Sequence, residues 1–246
     1  MNKERFFIAI GPPRTGTTWL YANLKNHPQV VLPRDKEIKY FWAKQHFGTN
    51  TLSKNLLGRH PHFRSKRKKF FGALKDHSLN GKFSFKELMW DIKYFTGTQN
   101  NKWYEGLFDD TQLSGDISPR YCELTEKTVA KVKKDYPNAK IIISLRDPIE
   151  RGWARAKMHL MQNKRKALDD VDDESFKKHV SLGSQIAIND YVQLVERWKK
   201  HFGEEQVMVF FFDARWAMAM ASAAAVPSSS SDALASSRPV RSETIC

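Results

Sequence analysis

The residues best suited to chemistry lie near the N-terminus, where the sequence GPPRTGTT occupies positions 11–18. Gly11 and Gly16 have the spacing of a phosphate-binding loop, in which glycines let the backbone wrap an anion at the start of a helix. The loop of nucleotide hydrolases carries a lysine after its second glycine, but here Thr17 occupies that position and Arg14 supplies the cation. The motif predicts phosphate binding without the usual grip on a triphosphate; the alternative is a turn that merely needs glycine.

A second candidate is Arg146, which directly follows the apolar run IIISL at positions 141–145. A guanidinium group suits phosphate because its forked N–H groups bind two oxygens at once. The alternative for Arg146 is an ion pair with Asp147 or Glu150.

The third candidate is the carboxylate of Glu37, which follows the apolar run VVLP at 30–33. Placed at the same edge of a sheet as the loop, it could act as a general base. The alternative is an exposed ion pair with Lys36 or Lys39, which contributes little. The histidines show no metal-ligand spacing, and we expect His60 and His62 to be surface residues and no metal to be bound.

These residues need a sheet to bring them together, and the apolar runs predict one. Buried strands are expected at 5–10, 30–33, 114–119, 139–148 and 206–214, with amphipathic helices between them, including one over 187–203. Strands without alternation, separated by helices, indicate an α/β fold: a three-layer sandwich around a mostly parallel sheet of the P-loop nucleotide-binding type. Ligands bind beyond the carboxyl ends of such strands, where all three candidates lie.

The motifs resemble those of the sulfotransferases that use 3′-phosphoadenosine-5′-phosphosulfate (PAPS), most closely the glycan-type and related bacterial domains. GPPRTGTTWL is similar to the loop that binds the 5′-phosphosulfate, which implies donor contacts for Arg14, Thr15, Gly16, Thr17 and Thr18. LRDPIERGWA is similar to the segment that binds the 3′-phosphate through Arg146. The resemblance implies a metal-independent transfer of a sulfuryl group to a hydroxyl or amine, with a small molecule, a glycan or an acidic polysaccharide as acceptor.

Further segments extend the resemblance to about residues 5–213. Glu37, in KEIKYF, matches the carboxylate taken as general base, with Arg14 also catalytic, and Asp116, in GDISPRY, matches an acidic position. Ala154 departs from the pattern: the family usually has a serine there that binds the 3′-phosphate, and its loss should cost about 1.5–3 kcal/mol of donor binding. The family continues with a closing helix and basic loop, which the Ala/Ser-rich residues 214–246 do not resemble. We therefore expect a truncated α/β domain at 1–213 and a disordered or artefactual tail.

Composition agrees with an anionic ligand, since the net charge is +14 and the isoelectric point about 9.7. A surplus of surface lysine explains the charge equally well, and we expect the basic cluster at 59–72 to be a solvated face rather than a substrate-facing patch. Two cysteines, no long apolar run and no room for a leader before Gly11 predict a cytoplasmic protein, or a Golgi-lumen one if an N-terminal anchor is missing from this chain. Nucleic acid is not an expected partner. The alternative functions are a P-loop kinase for small molecules or nucleosides and an inactive polyanion-binding domain.

Overall fold

The centre of the protein is a parallel sheet of five strands. The structure, a computed structural model, describes residues 1–79, 84–108, 111–164 and 172–212. Within them the sheet order is β2-β3-β1-β4-β5, and every pair of neighbours is parallel. The strands are β1 (Phe6–Ile10), β2 (Val30–Val31), β3 (Leu113–Ile117), β4 (Lys140–Leu145) and β5 (Val207–Phe211). The α/β prediction is confirmed.

Helices connect and cover the strands. They are α1 (Thr17–Lys25), α2 (Tyr40–Phe47), α3 (Leu52–Leu57), α4 (Pro61–Leu79), α5 (Phe85–Thr96), α6 (Asn101–Glu105), α7 (Glu126–Asp135), α8 (Pro148–Lys164), α9 (Asp173–Val180), α10 (Gly183–Asn189) and α11 (Tyr191–Phe202). The single helix predicted over 187–203 is wrong, because Asp190 separates α10 from α11. Its carboxylate accepts a hydrogen bond of 3.0 Å from the backbone N–H of Gln193 and caps α11.

Side chains on the two faces of β1 belong to two different cores. Phe6, Ile8 and Ile10 pack into the larger one, which includes side chains from α2, α7 and α11. Phe7 and Ala9 point to the other face, where they pack against Leu20 and other residues of α1. Helices therefore bury both faces of the sheet, as the unalternating apolar strands predict.

The strand order places a crevice between β1 and β4. These strands are neighbours, with Ile10 opposite Ile143, yet the chain leaves β1 toward β2 on one side and leaves β4 toward β5 on the other. Such a reversal opens a space beyond the carboxyl ends of the two strands, where ligands bind in this class of sheet. The phosphate-loop sequence follows β1 and Arg146 follows β4, so both border that space. The expected tail over 214–246 lies outside the described residues, and the domain boundary stays a prediction.

Candidate functional site

The loop after β1 depends on glycine at Gly11, because β4 lies directly beside it. A Cβ atom on Gly11 would lie 2.5 Å from the carbonyl oxygen of Ser144, too close for any side chain. Gly16 has φ +84° and stands immediately before α1, whose first turn begins at Thr17. The backbone therefore curves tightly around the N-terminus of α1, which is the shape that binds an anion.

The threonines of the loop divide into internal and exposed groups. Thr15 is fully buried, donates to the carbonyl oxygen of Pro12 at 2.8 Å, and shares a second 2.8 Å hydrogen bond with the hydroxyl of Ser144. Thr17 is also buried, whereas Thr18 is exposed. The Thr15 hydroxyl thus closes the loop against β4, and the loop can offer an anion its backbone N–H groups and the Thr18 hydroxyl.

The two arginines lie on either side of the crevice. Arg14 is exposed, and its Nη1 atom lies 4.0 Å from the sulfur of Met158 on α8. Arg146 donates from Nη2 to Glu150 at 3.1 Å, and its guanidinium carbon lies 5.0 Å from the ring centroid of Phe212. The Nε atom of Arg146 is buried and has no hydrogen-bond partner among the described residues. The expected alternative, the pair with Glu150, is therefore present, but it leaves one strong donor unused.

Glu37 lies beside the loop, connected to it through Lys36. The Lys36 ammonium donates 3.0 Å to Glu37 Oε1 and 3.2 Å to the hydroxyl of Thr18, and Lys39 pairs with Glu37 Oε2 at 2.9 Å. Burial raises the pKa of Glu37, but the charges of Lys39 and Lys36 lower it by more than burial raises it. The pKa of Glu37 therefore lies below its ordinary value. Glu37 is therefore ionised at neutral pH, at the exposed end of the phosphate loop.

Asp116 is fully buried and organises the segment that carries Glu37. Its carboxylate accepts from Tyr121 at 2.6 Å, Ser118 at 2.7 Å and Tyr104 at 3.0 Å, and also from the backbone N–H of Ile38. Ser118 in turn accepts from the backbone N–H of Lys39 at 3.1 Å. Burial raises the pKa of Asp116 to about 6, and these hydrogen bonds oppose the rise. Asp116 thus holds the backbone that directly follows Glu37, at Ile38 itself and at Lys39 through Ser118.

Backbone strain is concentrated at this site. Among the described residues, the non-glycine residues with positive φ are Arg14 at +81°, Glu37 at +66° and Lys39 at +58°. Each such conformation costs of order 1–3 kcal/mol, so it persists only where the surroundings impose it. All three border the same crevice, which singles it out among the surfaces of the protein.

The site contains three further cationic residues, of which the sequence analysis named only Lys36, as an ion-pair partner of Glu37. Lys36 links Thr18 to Glu37, as described above. Arg151 is fully buried and donates 2.6 Å to the side chain of Asn189 and 3.5 Å to the carbonyl oxygen of Pro13 in the loop. Arg155 lies near Arg120, Arg151 and Arg14, and burial followed by these charges lowers its pKa. Arg151 and Arg155 lie four residues apart on α8, and this spacing was a signal that could have indicated a cationic helix face.

The basic cluster at 59–72 is neither a simple solvated face nor a free cationic patch. Lys66 is 4% exposed, and its ammonium lies 4.5 Å and 5.3 Å from the ring centroids of Tyr94 and Trp103 without a hydrogen-bond partner among the described residues. Arg67 donates to the backbone carbonyls of Asn55 and Gly58. Two of these cations, Lys66 and Arg67, are therefore part of the interior contacts of α4 rather than of a solvated face.

His62 also differs from expectation, since it is half-buried rather than a surface residue. Its ring centroid lies between 5.2 and 5.8 Å from those of Trp42, Phe47 and Phe63. Burial, followed by the charges of Lys66 and Lys39, lowers the pKa of His62 to about 4, so it is neutral at physiological pH. In the part of the chain that the structure describes, no group of three His, Cys, Asp or Glu side chains could hold a metal ion.

Comparison with known proteins identifies the family. The sequence profile described as the sulfotransferase family matches residues 6–215. The chain belongs to the sulfotransferase family. This membership confirms the resemblance drawn from the loop and the Arg146 segment. The matched range, residues 6–215, includes the positions of the candidate residues named above.

The relatives differ from this chain in length. Carbohydrate sulfotransferase 15 of Homo sapiens is 31% identical to this chain over 152 residues. The match covers 59% of this chain and 25% of the human protein. The membrane-associated sulfotransferase kil1 of Dictyostelium discoideum is 24% identical over 200 residues, covering 81% and 32%. The chain therefore spans between a quarter and a third of the length of these two relatives.

A solved sulfotransferase from Alicyclobacillus acidocaldarius shares the fold. Its TM-score is 0.52 at 22% identity, with 89% of this chain and 76% of that chain covered. Among the helices that the structure describes here, none is long and apolar enough to cross a membrane. The expected cytoplasmic location stays a prediction.

Proposed function

We propose that this chain is a PAPS-dependent sulfotransferase that acts on a hydroxyl or amine of a small-molecule or carbohydrate acceptor. The observation that carries the proposal is the pairing of two anion-binding elements across one crevice. The loop after β1 can hold one phosphate on the N-terminus of α1, and Arg146 after β4 has a buried Nε with no described partner. A nucleotide with phosphate groups at both its 5′ and 3′ positions, such as PAPS, fits this arrangement. One phosphate would accept hydrogen bonds from the loop and the other from Arg146.

The chemistry assigned to the residues follows from their charges. When bound, PAPS supplies the sulfuryl group and leaves as 3′-phosphoadenosine-5′-phosphate. Glu37, ionised at neutral pH, takes the proton of the acceptor hydroxyl or amine. Arg14, Lys36 and the helix N-terminus provide the positive charge that stabilises negative charge developing at the loop. The name of the human relative, a carbohydrate sulfotransferase, supports a carbohydrate as acceptor.

Thermal unfolding with 3′-phosphoadenosine-5′-phosphate tests donor binding. The nucleotide should raise the melting temperature of the full chain, since a ligand that binds only the folded state stabilises it. Arg14→Ala and Arg146→Ala should each weaken binding about 10- to 150-fold, the equivalent of losing hydrogen bonds worth about 1.5–3 kcal/mol. Arg64→Ala is the matched control, because Arg64 is an exposed arginine on α4, outside the loop after β1 and the segment after β4.

Parallel samples with Mg-ATP and with heparin separate the alternatives. A shift with ATP and none with the sulfate-donor product would indicate the kinase, and a shift with heparin alone would indicate the polyanion-binding domain. Either result would refute donor binding. Glu37→Gln should keep the nucleotide shift while lowering sulfuryl transfer at least about 100-fold, the usual contribution of a general base.

A further inference from the structure

A cavity of about 320 Å³ lies between α4, α5 and the segment that precedes Glu37. Phe70, Trp90 and Tyr94 form its aromatic walls, and the rings of Trp90 and Tyr94 stack at 5.0 Å with an angle of 13°. The volume is at the lower end of the range for ligand pockets, about 300–1,000 Å³, which suits a single ring rather than an extended ligand.

The cavity is close to the candidate base. Asp35 lines it and precedes Glu37 by two residues in the chain. The hydroxyl of Tyr94 hydrogen-bonds to Asp35, and the charge of Glu37 is near enough to contribute to the raised pKa of Tyr94, after burial and Asp35. The cavity therefore lies beside the segment that leads to Glu37, with Asp35 on its wall two residues before the candidate base.

The charges that line the cavity are paired with one another. Arg34 bonds to Asp91 at 3.2 Å and also to Glu87, and Lys69 bonds to both oxygens of Asp35, at 2.7 and 3.0 Å. These pairs leave no excess of positive charge for an anionic ligand, and a ligand carboxylate or sulfate would meet Asp35 and Asp91 at close range. Like charges brought together in this way oppose binding.

A neutral ring with several hydroxyl groups matches the same walls. Aromatic side chains pack against the C–H groups of such a ring, and carboxylates retain lone pairs that accept from hydroxyl groups. The paired guanidinium and ammonium groups can donate to ring and hydroxyl oxygens at the same time. A neutral sugar is the common biological compound with both properties.

We infer that the cavity between Asp35 and the rings of Phe70, Trp90 and Tyr94 binds an uncharged sugar residue of the acceptor. This inference rests on the proposed function for its biological meaning, since it assigns the acceptor subsite of the same reaction. It also narrows the acceptor class, because it selects neutral carbohydrates over the acidic polysaccharides that the net charge alone would favour.

Saturation-transfer NMR on the full chain tests the inference with two probes. Methyl β-D-galactopyranoside should give saturable binding in the millimolar range, and the acidic probe methyl β-D-glucuronide should bind at least about tenfold more weakly. Ala73 lines the cavity. The larger side chain of Ala73→Phe should fill the cavity and weaken binding of the neutral probe at least about tenfold. Ser65→Phe is the matched control, because Ser65 is an exposed residue of α4 outside the set that lines the cavity, and binding should not change.

Three results would overturn the inference: no saturable binding of the neutral probe, equal or tighter binding of the glucuronide, or unchanged binding in Ala73→Phe. The melting shift with 3′-phosphoadenosine-5′-phosphate is recorded on the same samples. A folded Ala73→Phe variant keeps that shift, which separates cavity filling from unfolding. If the wild-type chain shows no nucleotide shift, the proposed function fails while the sugar titration still decides whether the cavity binds a neutral ring.

Discussion

Lys66 should make the stability of this protein depend on pH in a direction that can be measured. Burial lowers the pKa of its ammonium from 10.5 to about 7, with Asp35 opposing the change. At about 1.36 kcal/mol per pKa unit, this difference costs the folded state roughly 5 kcal/mol below pH 7. The cost disappears as the pH rises toward 10.5, because folded Lys66 is then neutral while the unfolded chain still binds the proton.

The change Lys66→Met removes this titration and keeps the volume of the side chain. The two ring contacts of the ammonium offset about 1–3 kcal/mol of the cost, so we expect the Met variant to be about 2–4 kcal/mol more stable at pH 6. The advantage should shrink by roughly 2–3 kcal/mol between pH 6 and pH 9. Urea unfolding of both proteins at several pH values measures the difference directly.

Lys66→Arg provides the control, since arginine keeps its charge over this pH range. The stability difference between the Arg and Met variants should therefore stay constant from pH 6 to pH 9. If the difference between wild type and Lys66→Met is equally constant, Lys66 is charged in the folded protein throughout, and the reasoning from burial is wrong.

Two further predictions concern the candidate site. Gly11→Ala should abolish the melting shift with 3′-phosphoadenosine-5′-phosphate and destabilise the fold by about 1–3 kcal/mol, because the added Cβ would overlap the backbone of Ser144. A retained shift would contradict this prediction and show that the loop can move away from β4. The stability of Asp116→Asn relative to wild type should rise by roughly 2 kcal/mol between pH 4.5 and pH 7, because the raised carboxyl pKa makes the wild-type protein lose stability as the pH rises toward about 6. Urea unfolding at both pH values measures this change, and a difference that does not depend on pH would contradict the raised pKa.

The sheet and the phosphate loop could be predicted from the sequence because their signals are local. FFIAI is an uninterrupted apolar run, and IIISL contains a single polar residue, Ser144. The loop requires its glycines because of local backbone geometry, which depends on few other residues. The parallel order followed from the helices between the strands. The helix cap at Asp190 was missed although its signal is local, because the helical sequence pattern continues on both sides of this residue.

The environment of charged side chains could not be predicted because it depends on how helices pack. Lys66 and His62 are buried by aromatic rings from α2, α5 and α6, which lie far away in the sequence. For Glu37 the sequence allowed either a base or an ion pair, and the structure contains both ion pairs together with the position beside the loop. The ion pairs of Glu37 are therefore compatible with its position beside the loop.

The central position of β1 has a consequence for how the chain is made. β1 leaves the ribosome before its partners in the sheet, which follow about 110 and 130 residues later in the chain, where Phe6 pairs with Ser114 and Phe7 with Lys140. At 5–20 residues per second, the apolar segment FFIAI waits roughly 7–30 s for both neighbours. During translation this apolar strand, which later supports the phosphate loop, stays without its sheet neighbours and is a target for chaperones and for aggregation.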